Sequence, residues 1–310
     1  MSIMIKKTGF FLLVFAASIC SCKHPRNVNG PVTLKFNVEK GSRFRYNALM
    51  NMRITENISG QQIDVANQMG FGYEFQVKDD SAGWKILNST IKRIYMNINA
   101  GGQSIHIDTD SSQPDTTTPS GMMTRIYSSL VGGQFSFTID GQGKVGRVFG
   151  MQEMIQKMAQ SINPNNPESL ILNISKSIDE NNFRQNIEQS FKIYPDHPVK
   201  PGDQWTGSLA TVSSGLTIQF QNIYTLKSIS IIDDIAHIAV NAKLSSGADS
   251  SHSGASQVTG EMNGETDCDI ETGIPLKSRL DMQVNMVVGV KGQQIPVKMI
   301  ISMDATGKKE

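Results

Sequence analysis

Cys20 and Cys22, one serine apart in the stretch AASICSCKHPR, are the residues whose spacing points most directly at chemistry. A C-x-C pair can hold a soft metal ion or cycle between dithiol and disulfide. Either use requires the pair to persist in the working protein. Its surroundings argue against that. Lys6 and Lys7 precede a 12-residue apolar run from Thr8 to Ile19. A membrane span takes roughly 20 apolar residues, so this run is too short to cross, but it suits the core of a secretory signal.

Ile19-Cys20-Ser21-Cys22 resembles the lipobox of bacterial lipoproteins. The match has a branched residue three places before the modified cysteine and small residues in between, with Cys20 a mild departure from the usual Ala, Ser or Thr. The resemblance implies cleavage before Cys22, loss of residues 1–21 as signal peptide, and lipidation of Cys22 as the new N-terminus. Each buried CH₂ contributes about 0.8 kcal/mol, so two or three chains anchor firmly where one is marginal. Lys23 rather than Asp follows Cys22, which in such lipoproteins implies an outer-membrane anchor facing the periplasm, with surface exposure as the alternative. Cys20 leaves with the signal, Cys22 is acylated and Cys268 stands alone, so an intramolecular disulfide is excluded. Cys268 shares the less polar parity of its strand and reads as a small buried hydrophobe.

The remaining candidates for chemistry are weak. His24, His106, His197, His237 and His252 form no HExxH or H-x-H pattern, against a zinc site of the usual kind. Ser89-Thr90-Ile91-Lys92 has the S-x-x-K spacing of penicillin-binding enzymes, but the segment reads as strand and the partner motifs are missing. Asp108-Thr109-Asp110-Ser111-Ser112 begins like a calcium loop and then fails, with Gln113 where glycine is required and Pro119 where an acid is. Glu261, Glu265, Asp267, Asp269 and Glu271 share one strand face; pairing with Lys277 and Arg279 is favoured over a cation site. With 29 basic against 28 acidic residues, the chain has no electrostatic footprint for nucleic acid. These readings make the chain a non-enzyme with no metal or other cofactor.

The elements that would position any site are mostly strands. Phe44, Tyr46, Ala48, Met50, Met52 and Ile54 alternate, as do Met69 to Val77, Ile238 to Leu244, Leu280 to Val290 and Ile295 to Met303. That period marks half-buried antiparallel strands. Met151, Met154, Ile155, Met158, Ala159 and Ile162 instead follow the spacing of an amphipathic helix. Asn166-Pro167-Glu168 starts a second helix through Leu170, Ile171, Ile174 and Ile178, continued by Phe183, Ile187 and Phe191, and a short helix fits Gly121–Val131. Gly101–Ser120 and Ser245–Gly260 are loops by composition. The fold class is therefore mainly β (α+β): curved antiparallel sheets with a central helical segment packed on them. The organisation is a signal peptide (1–21), a lipidated tether (22–31), an N-terminal β lobe with a short helix (32–150), a helical segment (151–192) and a C-terminal β lobe (193–310). Similar stretches suggest that the lobes are duplicated: KGSRF (Lys40 to Phe44) and PGDQW (Pro201 to Trp205), IDGQG (Ile139 to Gly143) and IETG (Ile270 to Gly273), and two Asp-Asp hinges.

Together with the lipobox, PDHPVKPGDQW, DGQGKV and ETGIP resemble an uncharacterised family of large bacterial lipoproteins. Its motifs are turns, and it implies no established activity. A looser, fold-level similarity is to lipoprotein carriers of the LolA and LppX type, which hold acyl chains between sheet and helices. That similarity implies an apolar ligand site, for which Met122, Met123, Met151, Met154 and Met158 are the candidate lining residues. The first functional reading is a lipoprotein binding a lipid or other hydrophobic ligand between sheet and helices. The alternative is a structural or interaction lipoprotein serving an envelope protein partner with no small-molecule ligand. Cys22→Ser is expected to abolish incorporation of a labelled fatty acid, while Cys20→Ser is acylated as before. Acylation of the Cys22 variant would contradict the assignment.

Overall fold

The computed structural model describes residues 30–58, 60–100, 103–110, 118–162, 180–213, 216–246, 255–290 and 293–310. Cys22 and the proposed helix through Leu170 and Ile178 lie outside the described residues, as does the start of the chain. The alternating segments form strands β1 (Arg43–Ile58), β2 (Gln61–Ser81), β3 (Trp84–Ala100), β4 (Gln103–Asp108), β5 (Gln134–Asp140), β6 (Val145–Phe149), β7 (Gln204–Ser213), β8 (Leu216–Ser230), β9 (Ile235–Ser246), β10 (Ala255–Asp269), β11 (Pro275–Val290) and β12 (Gln293–Lys309). Helices α1 (Pro119–Ser128), α2 (Met151–Ile162) and α3 (Glu180–Phe191) complete the described elements. The expected mainly β class is what the structure shows: one large, curved, antiparallel sheet with a few short helices.

Two stretches assigned to loops by composition carry strand. β4 lies within the 101–120 stretch, pairing with β3 and burying Ile107. β10 begins at Ala255, inside the Ser-rich stretch. In both cases pairing to a long neighbouring strand outweighs weak local propensity. Helix α1 starts earlier than the apolar pattern suggests, because the Thr118 hydroxyl caps Gly121 N–H at 3.0 Å and Pro119 opens the first turn.

Strand order is β6-β5-β3-β2-β1-β12-β11-β10-β9-β8-β7, with β4 off the path on β3. The strands of 32–150 and of 193–310 each form a meander, and the meanders join edge to edge through β1 and β12. The two meanders repeat a common local design. Gly41 (φ 90°) donates to Val77 O at 2.8 Å, and Val77 N–H returns to Ser42 O at 3.0 Å. Gly202 (φ 96°) donates to Leu226 O at 2.8 Å, and Leu226 N–H returns to Asp203 O at 3.0 Å. A register shift follows each of these strand residues, Val77/Asp79 in one meander and Leu226/Ser228 in the other. Phe44 stacks on Phe75 where Trp205 stacks on Tyr224. Gly143 (φ 77°) and Gly273 (φ 75°) close the two later turns. β1-β2-β3-β5-β6 thus corresponds to β7-β8-β9-β10-β11, and β12 is the extra strand at the seam.

The sheet rolls far enough that one helix meets both of its edges: α3 packs against β6 and against β7. At the β6 edge it also supplies side-chain partners for the backbone. Glu188 accepts from Val145 N–H at 3.2 Å and Arg184 donates to Val145 O at 3.2 Å. An unpaired edge is a template for aggregation, and these contacts close it. Beneath α3, Phe191 meets Phe36, Phe75 and Phe137 at ring separations of 5.6, 6.1 and 6.2 Å. Fully burying a ring of this size contributes about 1.5–3 kcal/mol.

The segment before β1 threads between the two later turns: Phe36 N–H reaches Gly141 O at 2.9 Å and Asn37 N–H reaches Thr272 O at 2.8 Å. A Cβ on Gly273 would run into the Lys35 carbonyl, whereas one on Gly202 would meet open space. Both residues have positive φ, so alanine strains both backbones, but only at 273 must a neighbouring segment also move. Gly273→Ala is expected to lower the urea midpoint clearly more than Gly202→Ala. Equal losses would show that the threaded segment is not held against the turn.

Candidate functional site

Strand side chains of one parity face inward, and register decides which of them stand together. Met303, Met50, Met69 and Met96 are direct neighbours across β12, β1, β2 and β3. In the next row Met262 faces Met282, which faces Ile301, which faces Met52. The inner face therefore carries a methionine field whose unbranched, polarisable side chains adapt to varied shapes.

A cavity of about 450 Å³ opens on this field in the C-terminal half. Its floor includes Met50, Met262, Met282, Leu280 and Met303; Leu209 and Phe220 form a wall. Gln189 and Ser190 at the end of α3, with Ile193 just beyond it, form the roof. Hollows on the outer face, such as one of 570 Å³ beside Thr206, Ser208 and Lys243, are more open and have polar walls.

The two meanders differ at corresponding positions beside this space. In the N-terminal meander Tyr46 faces Tyr73, one step along from the stacked Phe44–Phe75 pair. At the corresponding place in the C-terminal meander Gly207 faces Asn222, one step from Trp205–Tyr224. Two aromatic rings are replaced by a glycine and a short amide. Phe183 and Phe191 of α3 fill the other half, where Phe183 meets Phe135 at 4.9 Å.

The cavity is neutral. Among the described residues, no Asp, Glu, Lys, Arg or His lines it. Burial pushes the Tyr46 phenol up to about 12, against a smaller opposing effect of its hydrogen bond with Ser190. Burial likewise pushes Tyr224 up to about 12, with the Asn222 hydrogen bond opposing. Asn222 donates to Tyr224 Oη at 2.9 Å, and that hydroxyl donates to Lys192 O at 3.2 Å. Thr266 Oγ1 donates to Ser278 Oγ at 3.1 Å, so this wall pair satisfies itself. Asn222 Oδ1 and Gln189 Nε2 are buried without a hydrogen-bond partner.

The residues singled out from the sequence fall elsewhere. Met151 and Met158 are buried where α2 packs on β5, Met154 is half-buried against Gly133, and Met123 is exposed. The side chain of Met122 lies outside the described residues. Met123, Met151, Met154 and Met158 do not border this cavity, and the α2 stripe at helical spacing packs into the N-terminal half. The methionines that do border it are on strands. Parity alone placed Met50, Met282 and Met303 on apolar faces, but only register unites them.

The other candidates resolve locally. Cys268 is fully buried, its thiol pushed up by burial and 3.1 Å from Gly273 O. Ser89 is buried in β3, with Lys92 at the opposite parity beside Glu74 at 3.4 Å. Asp108 takes a two-pronged bond from Arg93, at 3.0 and 2.6 Å. In the acidic ladder, Glu265 faces Arg279 and Asp267 faces Lys277 in register, and Arg279 bonds Asp304 at 2.8 Å. His237 Nδ1 is 2.6 Å from Asp267 and His197 Nδ1 is 2.6 Å from its neighbour Asp196. Among the described residues no group of three or more His, Cys, Asp or Glu could hold a metal ion, and no helix is long and apolar enough to cross a membrane.

The chain belongs to a family of unknown function, DUF6263, whose model matches residues 82–275, from the turn before β3 to the first residue of β11. No curated protein matches the sequence. Among solved structures, lipovitellin is 9% identical with a TM-score of 0.42, the alignment covering 86% of this chain. The chain spans only 25% of the lipovitellin chain. An outer membrane channel from Pseudomonas putida F1 is 5% identical with a TM-score of 0.25, covering 92% of this chain and 99% of the channel. The attachment invasion locus protein Ail of Yersinia pestis is 8% identical with a TM-score of 0.17, covering 87% and 100%. Likenesses this remote carry no argument about function.

The raised phenols set a pH limit. Tyr46, Tyr73 and Tyr224 stay neutral in the folded chain to about 12, against an ordinary value of 10.0. A folded-state value above the unfolded one stabilises fully below pH 10 and is lost as pH rises through 12. Unfolding between these limits is expected to coincide with a cooperative rise in phenolate absorbance. A gradual rise completed before unfolding would show that these rings are not sealed.

Proposed function

We propose that this chain is a lipid-anchored envelope protein that binds a lipid or other hydrophobic ligand in the cavity between the methionine field and the end of α3. The observation that carries the reading is the cavity itself: about 450 Å³, largely apolar, uncharged, and roofed by one helix end and its trailing segment. Cavities of a few hundred Å³ with apolar walls and a few polar groups are the usual form of small-molecule sites. The strand methionines suit a ligand of variable shape. The protein acts by holding its ligand, not by transforming it. The lipobox around Cys22 supports an anchor in the outer membrane, with the sheet in the periplasm.

Leu209 stands on the edge strand β7, half-buried at the cavity wall. Leu209→Trp places an indole in the space, as cavity filling does without loss of stability. Binding of a polarity-sensitive naphthylamine dye is expected to saturate with the wild-type chain and to weaken at least about tenfold in the variant, the urea midpoint being held or raised. Equal dye binding by both chains would rule the cavity out as the binding site.

A further inference from the structure

The cavity carries information about the head of its ligand as well as its tail. Asn222 is 3% exposed and borders the cavity, and its Oδ1 has no hydrogen-bond partner. Its Nδ2 is committed to Tyr224 Oη, which is committed in turn to Lys192 O. Gln189, on the roof, presents a buried Nε2 that is likewise unpartnered. A wall residue thus has an unmet acceptor and a roof residue an unmet donor. A buried polar atom left unsatisfied costs more than an ordinary hydrogen bond contributes, so such atoms mark where a partner is to be found.

Charge narrows the partner further. Among the described residues the walls hold no ionised side chain, and the two cavity tyrosines remain neutral phenols up to about 12. A carboxylate, phosphate or quaternary ammonium drawn into this space would be buried without a counter-charge, at a cost that defeats binding. The group that satisfies both orphans is neutral and both donates and accepts.

We infer that the ligand is an uncharged amphiphile: an apolar chain or ring body carrying a hydroxyl or a primary amide, which donates to Asn222 Oδ1 and accepts from Gln189 Nε2. This rests on the proposed binding function and adds the class of head group. A free long-chain alcohol and an acylated glycerol share this chemistry, and the hydroxyl is what the site reads.

Probes of one chain length separate the two statements. Decan-1-ol, decanamide, decanoate and decyltrimethylammonium are competed against the naphthylamine dye on the full chain at pH 8. The alcohol and the amide are expected to displace dye at least about tenfold more effectively than either ion. Decanoate is expected to gain affinity as pH falls toward 5 and the acid becomes neutral. Asn222→Leu is expected to weaken decan-1-ol at least about fivefold more than it weakens the dye, and equal losses of both would count against the head-group assignment. Should that variant not fold, Gln189→Leu and the decanoate pH series on the wild-type chain read the same property. Equal displacement by all four probes overturns the head-group assignment and leaves the hydrophobic site standing. Failure of every probe and of the dye overturns both.

Discussion

The contact of α3 with both edges of the sheet is the constraint on which the rest of the molecule depends. A sheet of this size has one apolar face, and leaving it open would expose several rows of strand side chains to water. Rolling brings β6 and β7 toward each other, and α3 spans them with Arg184 and Glu188 on the β6 backbone. Trp205 Nε1 donates to Ile193 O at 3.0 Å, tying the segment after the helix to β7. The inner face becomes an interior, and whatever α3 does not fill becomes a cavity.

How α3 fills that interior is unequal along its length. Phe183 and Phe191 enter the N-terminal half, where Phe44, Phe75, Phe135 and Phe137 await them. The C-terminal half receives Gln189 and Ser190 instead, over a meander in which Gly207 and Asn222 stand where its counterpart has Tyr46 and Tyr73. Corresponding positions of the two meanders thus differ in bulk, and the phenylalanines of α3 go to the N-terminal half. Glycines also help the C-terminal half to curve. A Cβ on Gly264 would run into the Arg279 carbonyl of β11, so the close approach of β10 and β11 depends on its absence.

Much of the architecture is legible in the sequence because alternation is a local signal. The parities of Phe44 to Ile54 and of Leu280 to Val290 give strands and their buried faces directly. The stretches around Gly41 and Gly202 point to repetition, and the two turns carry matching hydrogen bonds. What cannot be read locally is register. Nothing near Met50 in the chain announces that Met303 and Met69 flank it, because those neighbours come from the far end of the chain and from the adjoining strand. Helix spacing drew attention instead to Met151, Met154 and Met158, whose stripe is core. Asn222 and Gln189 were invisible for a related reason: a polar residue matters here only because its partners are absent in three dimensions.

The central claim is that the space under α3 is occupied by something other than protein. An experimental density map of the full chain, purified from the cells that make it, addresses it directly. The account predicts elongated density along Met50, Met303 and Met282, with its polar end at Asn222 and Gln189. A cavity collapsed onto its walls, or filled by the chain's own side chains, would contradict it.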